Sequence, residues 1–237
     1  MGVTDLDPAP ASRDLKRERL ALALRFSGDG PELRGALTDL VQRALGVAWR
    51  EALAPTFPGT SVPTGPSGRT PTGSPDGPPA EPSASPSTEA PAGALTVPEA
   101  APGDGTGAPL PPGPDGLALA VVGSVARRET GPASDLDLVL VHDGRSHDAD
   151  TVSALADRLW YPLWDAGLRL DHAVRTVNQC REVSAADLSA AIGMLDLRPL
   201  AGDAGLVVRV RAALLSDWRS GIRRRLPALL DSLTERG

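Results

Sequence analysis

Leu117-Ala-Leu-Ala-Val-Val-Gly-Ser124 and Asp135-Leu-Asp-Leu-Val-Leu-Val141 are the two runs from which the fold is read. The first is a short apolar segment over 117–122 that stops at Gly123-Ser124, the pattern of a buried strand handing over to a turn or short helix. The second, over 136–141, is entered through Gly131-Pro-Ala-Ser134 and reads as another strand. Side chains alternate along a strand, so Asp135 and Asp137 share one face while Leu136 points to the other. Two carboxylates in a strand otherwise built of Leu and Val repel each other and resist burial, so they need a cation or solvent. A solvent-facing strand start, with the aspartates as turn residues after Ser134, fits the same pattern. Gly123 lets a phosphate approach the backbone, and the Ser124 hydroxyl and adjacent N–H groups can donate to it. Gly-Ser is also a common turn pair.

Further along, Thr151 opens a helix with Val152, Leu155, Ala156, Leu159, Trp160 and Leu163 on one face, closing near Gly167. Pro162 is expected to bend it or mark its last turn. Positions 168–174 read as a third strand, with Leu168, Leu170 and His172 on one face and Arg169, Asp171 and Ala173 on the other. Ser184-Ala-Ala-Asp187 resembles a capping box opening a helix toward Leu195, and a last helix from about Asp203 carries Leu206, Val207, Val210, Leu214 and Trp218. Asp171 is then a third carboxylate on a neighbouring strand. Oxygen ligands of this kind suit Mg²⁺, which keeps places for water and substrate phosphates, and with the Gly-Ser turn they form a two-metal phosphoryl-transfer site.

Upstream, Pro31 suits a first helical turn, and Leu33, Leu37, Leu40, Val41, Ala44, Leu45 and Ala48 recur at helical spacing. A weaker helix surrounds Leu15, Leu22 and Phe26. Between these helices and the first strand the composition changes. Of the 24 Pro and 25 Gly in 237 residues, 17 Pro and 11 Gly fall in 54–116, a composition expected to stay disordered. This segment also holds most of the net charge of −6, leaving a nearly neutral remainder with no polyanion-binding signature and hence no nucleic-acid partner. No apolar run is long enough for a membrane span, the N-terminus lacks a signal-peptide pattern, and one cysteine, Cys180, excludes an intrachain disulfide; a cytoplasmic protein is expected. The expected domains are N-terminal helices at 1–53, a linker at 54–116, a catalytic core at 117–202 and a helical segment at 203–237. The class is α+β, a small mixed sheet covered by helices.

Gly123-Ser124, Asp135-x-Asp137 and a later strand carboxylate resemble the polymerase-β-type nucleotidyltransferase superfamily. Within it, the stretch from Asp157 through Arg-Leu-Trp-Tyr-Pro-Leu-Trp-Asp to Asp171-His-Ala-Val-Arg-Thr176 closely resembles the catalytic domain of bacterial PII-protein uridylyltransferase/uridylyl-removing enzymes. The segments Asp187-Leu188 and Leu195-Asp-x-Arg198-x-Leu-Ala-Gly-Asp203 fit that domain too. Where the family has a glycine-rich Gly-Gly-Tyr-Gly-Arg-Gly-Glu-Leu run, this chain reads Gly123-Ser-Val-Ala-Arg-Arg-Glu-Thr130, matching at Arg127 and Glu129. Full-length members continue into a histidine-aspartate hydrolase and two ACT domains, which these residues do not contain. His142-Asp143 and His147-Asp148 read as a polar surface loop instead.

The resemblance implies a polymerase-β-like fold and a Mg²⁺-dependent enzyme moving UMP, or AMP, from UTP or ATP to a tyrosine of the PII nitrogen-signalling protein, with release of pyrophosphate. Asp135, Asp137 and Asp171 would be the catalytic, metal-holding residues, and Gly123, Ser124, Arg127 and Arg175 would bind nucleotide. Arg175 serves equally as a strut to a carboxylate, His172 reads as a core histidine, and Trp160, Tyr161 and Trp164 pack the helix on the sheet. Two alternatives are a non-catalytic remnant that binds PII or nucleotide, and a transferase acting on a small-molecule hydroxyl.

Overall fold

The structure is a computed structural model that describes residues 10–26, 28, 30–57 and 110–234. Most of the expected linker, 58–109, lies outside the described residues. The elements run α1 (Pro10–Ala23), α2 (Pro31–Thr56), β1 (Leu117–Val121), α3 (Gly123–Arg127), β2 (Leu136–His142), α4 (Ala149–Asp165), β3 (Leu170–Thr176), α5 (Val177–Ala186), α6 (Leu188–Leu195), β4 (Arg198–Gly202) and α7 (Ala204–Thr234). Among the described residues four strands form one mixed sheet in the order β3-β2-β1-β4. β1 is antiparallel to both β2 and β4, whereas β2 and β3 are parallel. A parallel pair needs a long crossover, and α4 supplies it.

β1 is buried along its whole length because both sheet faces are covered there. Leu117, Leu119 and Val121 join Leu136, Leu138 and Leu140 of β2 in a core shared with Leu15 of α1, Val41, Leu45, Trp49 and Leu53 of α2, and Leu155, Leu159 and Leu163 of α4. On the other face, Ala118 and Ala120 with Val139 and Val141 pack against Cys180, Leu197, Leu206, Val207, Val210 and Leu214. The N-terminal helices therefore close the same core as the sheet. α2 extends through Thr56, and the Trp49 indole N–H donates to Pro112 O at 3.0 Å, so the chain on either side of the undescribed stretch is tied together. No helix among the described residues is long and apolar enough to cross a membrane.

Local caps explain where the helices begin. Asp148, rather than Thr151, starts α4 by accepting the Thr151 N–H at 2.7 Å. Pro162 falls in the last turn of that helix. The Ser184 box is not a helix start: Ser184 lies inside α5, which opens two turns earlier with a reciprocal Thr176/Gln179 capping box. Asp187 caps α6 through the Ala190 N–H. β4 was also not anticipated, because Arg198-Pro-Leu-Ala-Gly202 has neither alternation nor a β-branched run. It pairs only because β1 offers a free edge.

Candidate active site

The turn from β1 into α3 has one conformational requirement. Gly123 has φ +62°, and a Cβ there would collide with the Asp137 carboxylate, so only glycine admits this approach. Ser124 follows as the second residue of α3, and its carbonyl accepts the Glu129 N–H at 2.8 Å. The Val122 N–H donates to Asp137 O at 3.1 Å, anchoring the Gly-Ser turn directly beside β2.

Parallel register sets Asp137 opposite Asp171 and Leu136 opposite Leu170. Paired residues of adjacent strands project to the same face, so the two carboxylates stand side by side. Leu136 and Leu138 turn into the α2/α4 core, as the alternation requires. Asp137 is half-buried and its pKa is raised, first by burial and then by the negative charges of Asp171 and Asp135, with Arg127 opposing. Asp135 is exposed and ion-paired, its Oδ1 lying 2.6 Å from Arg169 Nε. Of the expected carboxylates, Asp137 and Asp171 thus meet in register, whereas Asp135 faces a cation at the strand entrance.

Arg127 is held by two acids, Glu129 at 3.0 Å and Asp196 at 2.9 Å, and ties the α3 turn to the end of α6. Those bonds, to Asp196 first, raise its pKa. Arg175 pairs with Val141, four positions along β3 from Asp171, which is about 13 Å at the rise of a strand. The structure does not bring it to the carboxylates. Its Nε is buried without a hydrogen-bond partner among the described residues. His172 lies on the opposite face, its ring 5.2 Å from Trp160 and 4.9 Å from Trp164, and is partly buried against them rather than a core residue. Trp160 is buried, whereas Tyr161 and Trp164 are exposed beside it. A groove of about 450 Å³ lined by His142, Asp157, Trp160, His172 and Val174 lies on that opposite side, away from the carboxylates.

The two His-Asp pairs serve the loop. Asp143 accepts from Arg145 N, Ser146 N and Ser146 Oγ, His147 Nε2 lies 2.9 Å from Asp115 O, and Asp148 caps α4. Residues that sequence reasoning missed surround the entrance to β2: Arg19 and Arg169 bind its preceding turn, and Thr38 and Asp39 of α2 contact Thr130 and Arg128 at 3.0 and 2.6 Å. Only Arg169 had a signal, its place two residues before Asp171 on the same strand face.

Mg²⁺ fits this donor set: it needs one or two carboxylates, the remaining positions going to water and substrate phosphates. Asp137 and Asp171 provide hard oxygen donors on neighbouring strands, and the pKa of Asp137 is raised first by burial and then by the negative charge of Asp171. Among the described residues no group of three or more His, Cys, Asp or Glu side chains is placed to hold a metal ion. The arrangement is an open pair of carboxylates beside a glycine turn.

Residues 94–183 match the family described as Putative nucleotidyltransferase DUF294. The chain is also similar to three proteins named bifunctional uridylyltransferase/uridylyl-removing enzyme. That of Streptomyces coelicolor is 53% identical over 121 residues, 51% of this chain and 14% of the relative. That of Mycobacterium tuberculosis is 48% identical over 116 residues, 49% of this chain and 14% of the relative. That of Corynebacterium glutamicum is 43% identical over 124 residues, 52% of this chain and 17% of the relative. The chain thus spans only a small part of the length of these relatives. Gly123, Asp137 and Asp171 all lie inside the matched segment on the mixed α+β sheet, so this part of the chain is similar to a nucleotidyltransferase domain and to the corresponding part of proteins named uridylyltransferases.

Proposed function

We propose that the chain transfers a nucleotidyl group, UMP or AMP, from UTP or ATP to a tyrosine hydroxyl of a PII-type signalling protein in the cytoplasm. The observation that carries this reading is the close approach of Gly123 to the Asp137 carboxylate, with Asp171 the register partner of Asp137 on the neighbouring strand. Gly123 and Ser124 would receive the triphosphate, the missing Cβ leaving space and the turn N–H groups donating to phosphate oxygens. Asp137 and Asp171, joined by Asp135 once it leaves Arg169, would hold Mg²⁺, which when bound supplies neutralisation of phosphate charge. The tyrosine oxygen forms a bond to the α-phosphorus, and the bond from that phosphorus to the bridging β-phosphate oxygen breaks. Pyrophosphate leaves, and the tyrosine proton passes to Asp171. Positioning and charge stabilisation provide the acceleration. Arg127, bound to two acids, would orient the turn, and Arg175 would reach nucleotide only through its distal part.

Incubation of the chain with PII and labelled UTP or ATP should add one nucleotidyl mass to PII and release pyrophosphate. Asp135→Ala should abolish both, and undiminished transfer by this variant refutes the assignment. The ion pair of Asp135 with Arg169 favours one other reading, a binder without turnover. Binding of Mg²⁺ and nucleotide with no pyrophosphate release would select it.

A further inference from the structure

The turn that delivers Asp135 is gripped by two guanidinium groups. Arg169 Nη2 donates to Ala133 O at 2.8 Å while its Nε pairs with Asp135. Arg19 of α1 reaches the same turn from 112 and 115 residues away, its Nη2 donating to Gly131 O at 2.7 Å and Ser134 O at 2.8 Å. The turn also closes on itself, Ser134 Oγ accepting the Gly131 N–H at 2.8 Å. Three of its four carbonyls are therefore fixed by arginine, and the next residue is Asp135.

Arg19 is 3% exposed, so its charge has been almost wholly removed from water. Burial pulls its pKa below the ordinary arginine range, Asp135 opposing that effect and Arg169 adding to it. A buried guanidinium is a costly way to fill space, since an apolar side chain of similar volume often leaves a fold equally stable or more so. What arginine adds is direction: its planar group holds two carbonyls at fixed positions. α2 grips the other end of the same connection through Thr38 to Thr130 and Asp39 to Arg128. The whole segment from α3 to β2 is thereby referenced to the N-terminal helices, which lie outside the matched residues 94–183.

We propose that Arg19 is a positioning residue for nucleotidyl transfer, fixing through Gly131 O and Ser134 O the turn from which Asp135 projects, so that α1 belongs to the catalytic apparatus. This rests on the transfer reading above. A carboxylate misplaced by about 1 Å can cost on the order of 100-fold in rate, so Arg19→Met should lower kcat by roughly 10- to 100-fold while the KM for PII stays nearly constant. Arg19→Lys, which keeps the charge and can reach one carbonyl, should recover part of the loss. Arg181→Met, which removes an exposed arginine pairing with Asp217 on α7, should leave kcat unchanged.

The variants would be compared for kcat, KM, thermal midpoint and amide exchange at Gly131, Ser134 and Leu136. Faster exchange at these amides, with a kcat loss larger than the unfolded fraction explains, supports the role. A kcat that falls only with the folded fraction, a change confined to KM, or unaltered exchange in the turn overturns it. If the unaltered chain transfers nothing, the transfer reading fails, and amide exchange alone decides whether Arg19 holds the turn.

Discussion

Asp137→Asn tests the site through stability. Asp137 and Asp171 are register partners on adjacent strands, which places their carboxylates about 5 Å apart. At that separation two negative charges repel by about 3 kcal/mol at an effective dielectric of ~20 and by about 1 kcal/mol in water. Asp171 is exposed, so the lower value applies, and partial burial of Asp137 adds to it. The sign follows from linkage. The folded-state pKa of Asp137 lies above its ordinary value of 3.8, so the folded chain binds the proton more readily than the unfolded one. Stability therefore falls as pH rises from 3.8 through the raised value, and the full cost is present at neutral pH. Asparagine removes it. Without ligand, Asp137→Asn should gain about 1 kcal/mol, or roughly 2–4 °C in thermal midpoint for a folded unit of this size. Saturating Mg²⁺ and nucleoside triphosphate should reverse the order, because a ligand at ~100 times its Kd stabilises the unaltered chain by about 2.7 kcal/mol and the variant much less. Thermal melts at neutral pH, with and without Mg²⁺ and UTP or ATP, supply both comparisons. A variant that melts lower than the unaltered chain without ligand, or gains the same increment with it, refutes the reasoning.

Gly123→Ala forces a side chain into left-handed backbone and against the Asp137 carboxylate. It should cost about 1–2 kcal/mol and lower the transfer rate of the folded protein on the order of 100-fold, read by denaturant melts and a pyrophosphate-release assay. Gly202→Ala, equally strained at φ +80° but seated against Leu117 O, should lose stability while keeping the rate per folded molecule. Asp143 has its pKa lowered to about 2 by hydrogen bonds from Ser146 and Arg145. Its contribution is present above 3.8 and lost as pH falls toward 2, so Asp143→Asn should cost up to about 1 kcal/mol at neutral pH and flatten the acid limb of stability between those values.

Both matched strands of the site could be read because their signals are local. The apolar run ending at Gly123 and the alternation of Asp135, Leu136 and Asp137 hold whatever the rest of the chain does, and both strands formed within a residue of where they were expected. The third strand lies two residues later than read, at Leu170–Thr176, because Leu168 packs in the turn after α4 while its partner β2 sets the pairing. β4 was not legible, since its five residues become a strand only when β1 presents an unpaired edge. The Ser184 box misled because a serine within a helix satisfies the same four-residue pattern as one at its start.

The sequence alone determined β1, β2, the long helices, the mixed α+β class and the three aspartates, through periodicity, turn chemistry and composition, all of which act over a few residues. Tertiary structure decided what those residues do to one another. It put Asp137 beside Asp171, turned Asp135 to Arg169, left Arg175 distant, and brought Arg19 across more than a hundred residues to the turn. Strand register and buried charge depend on which surfaces exclude water together, and no short window of the chain contains both partners.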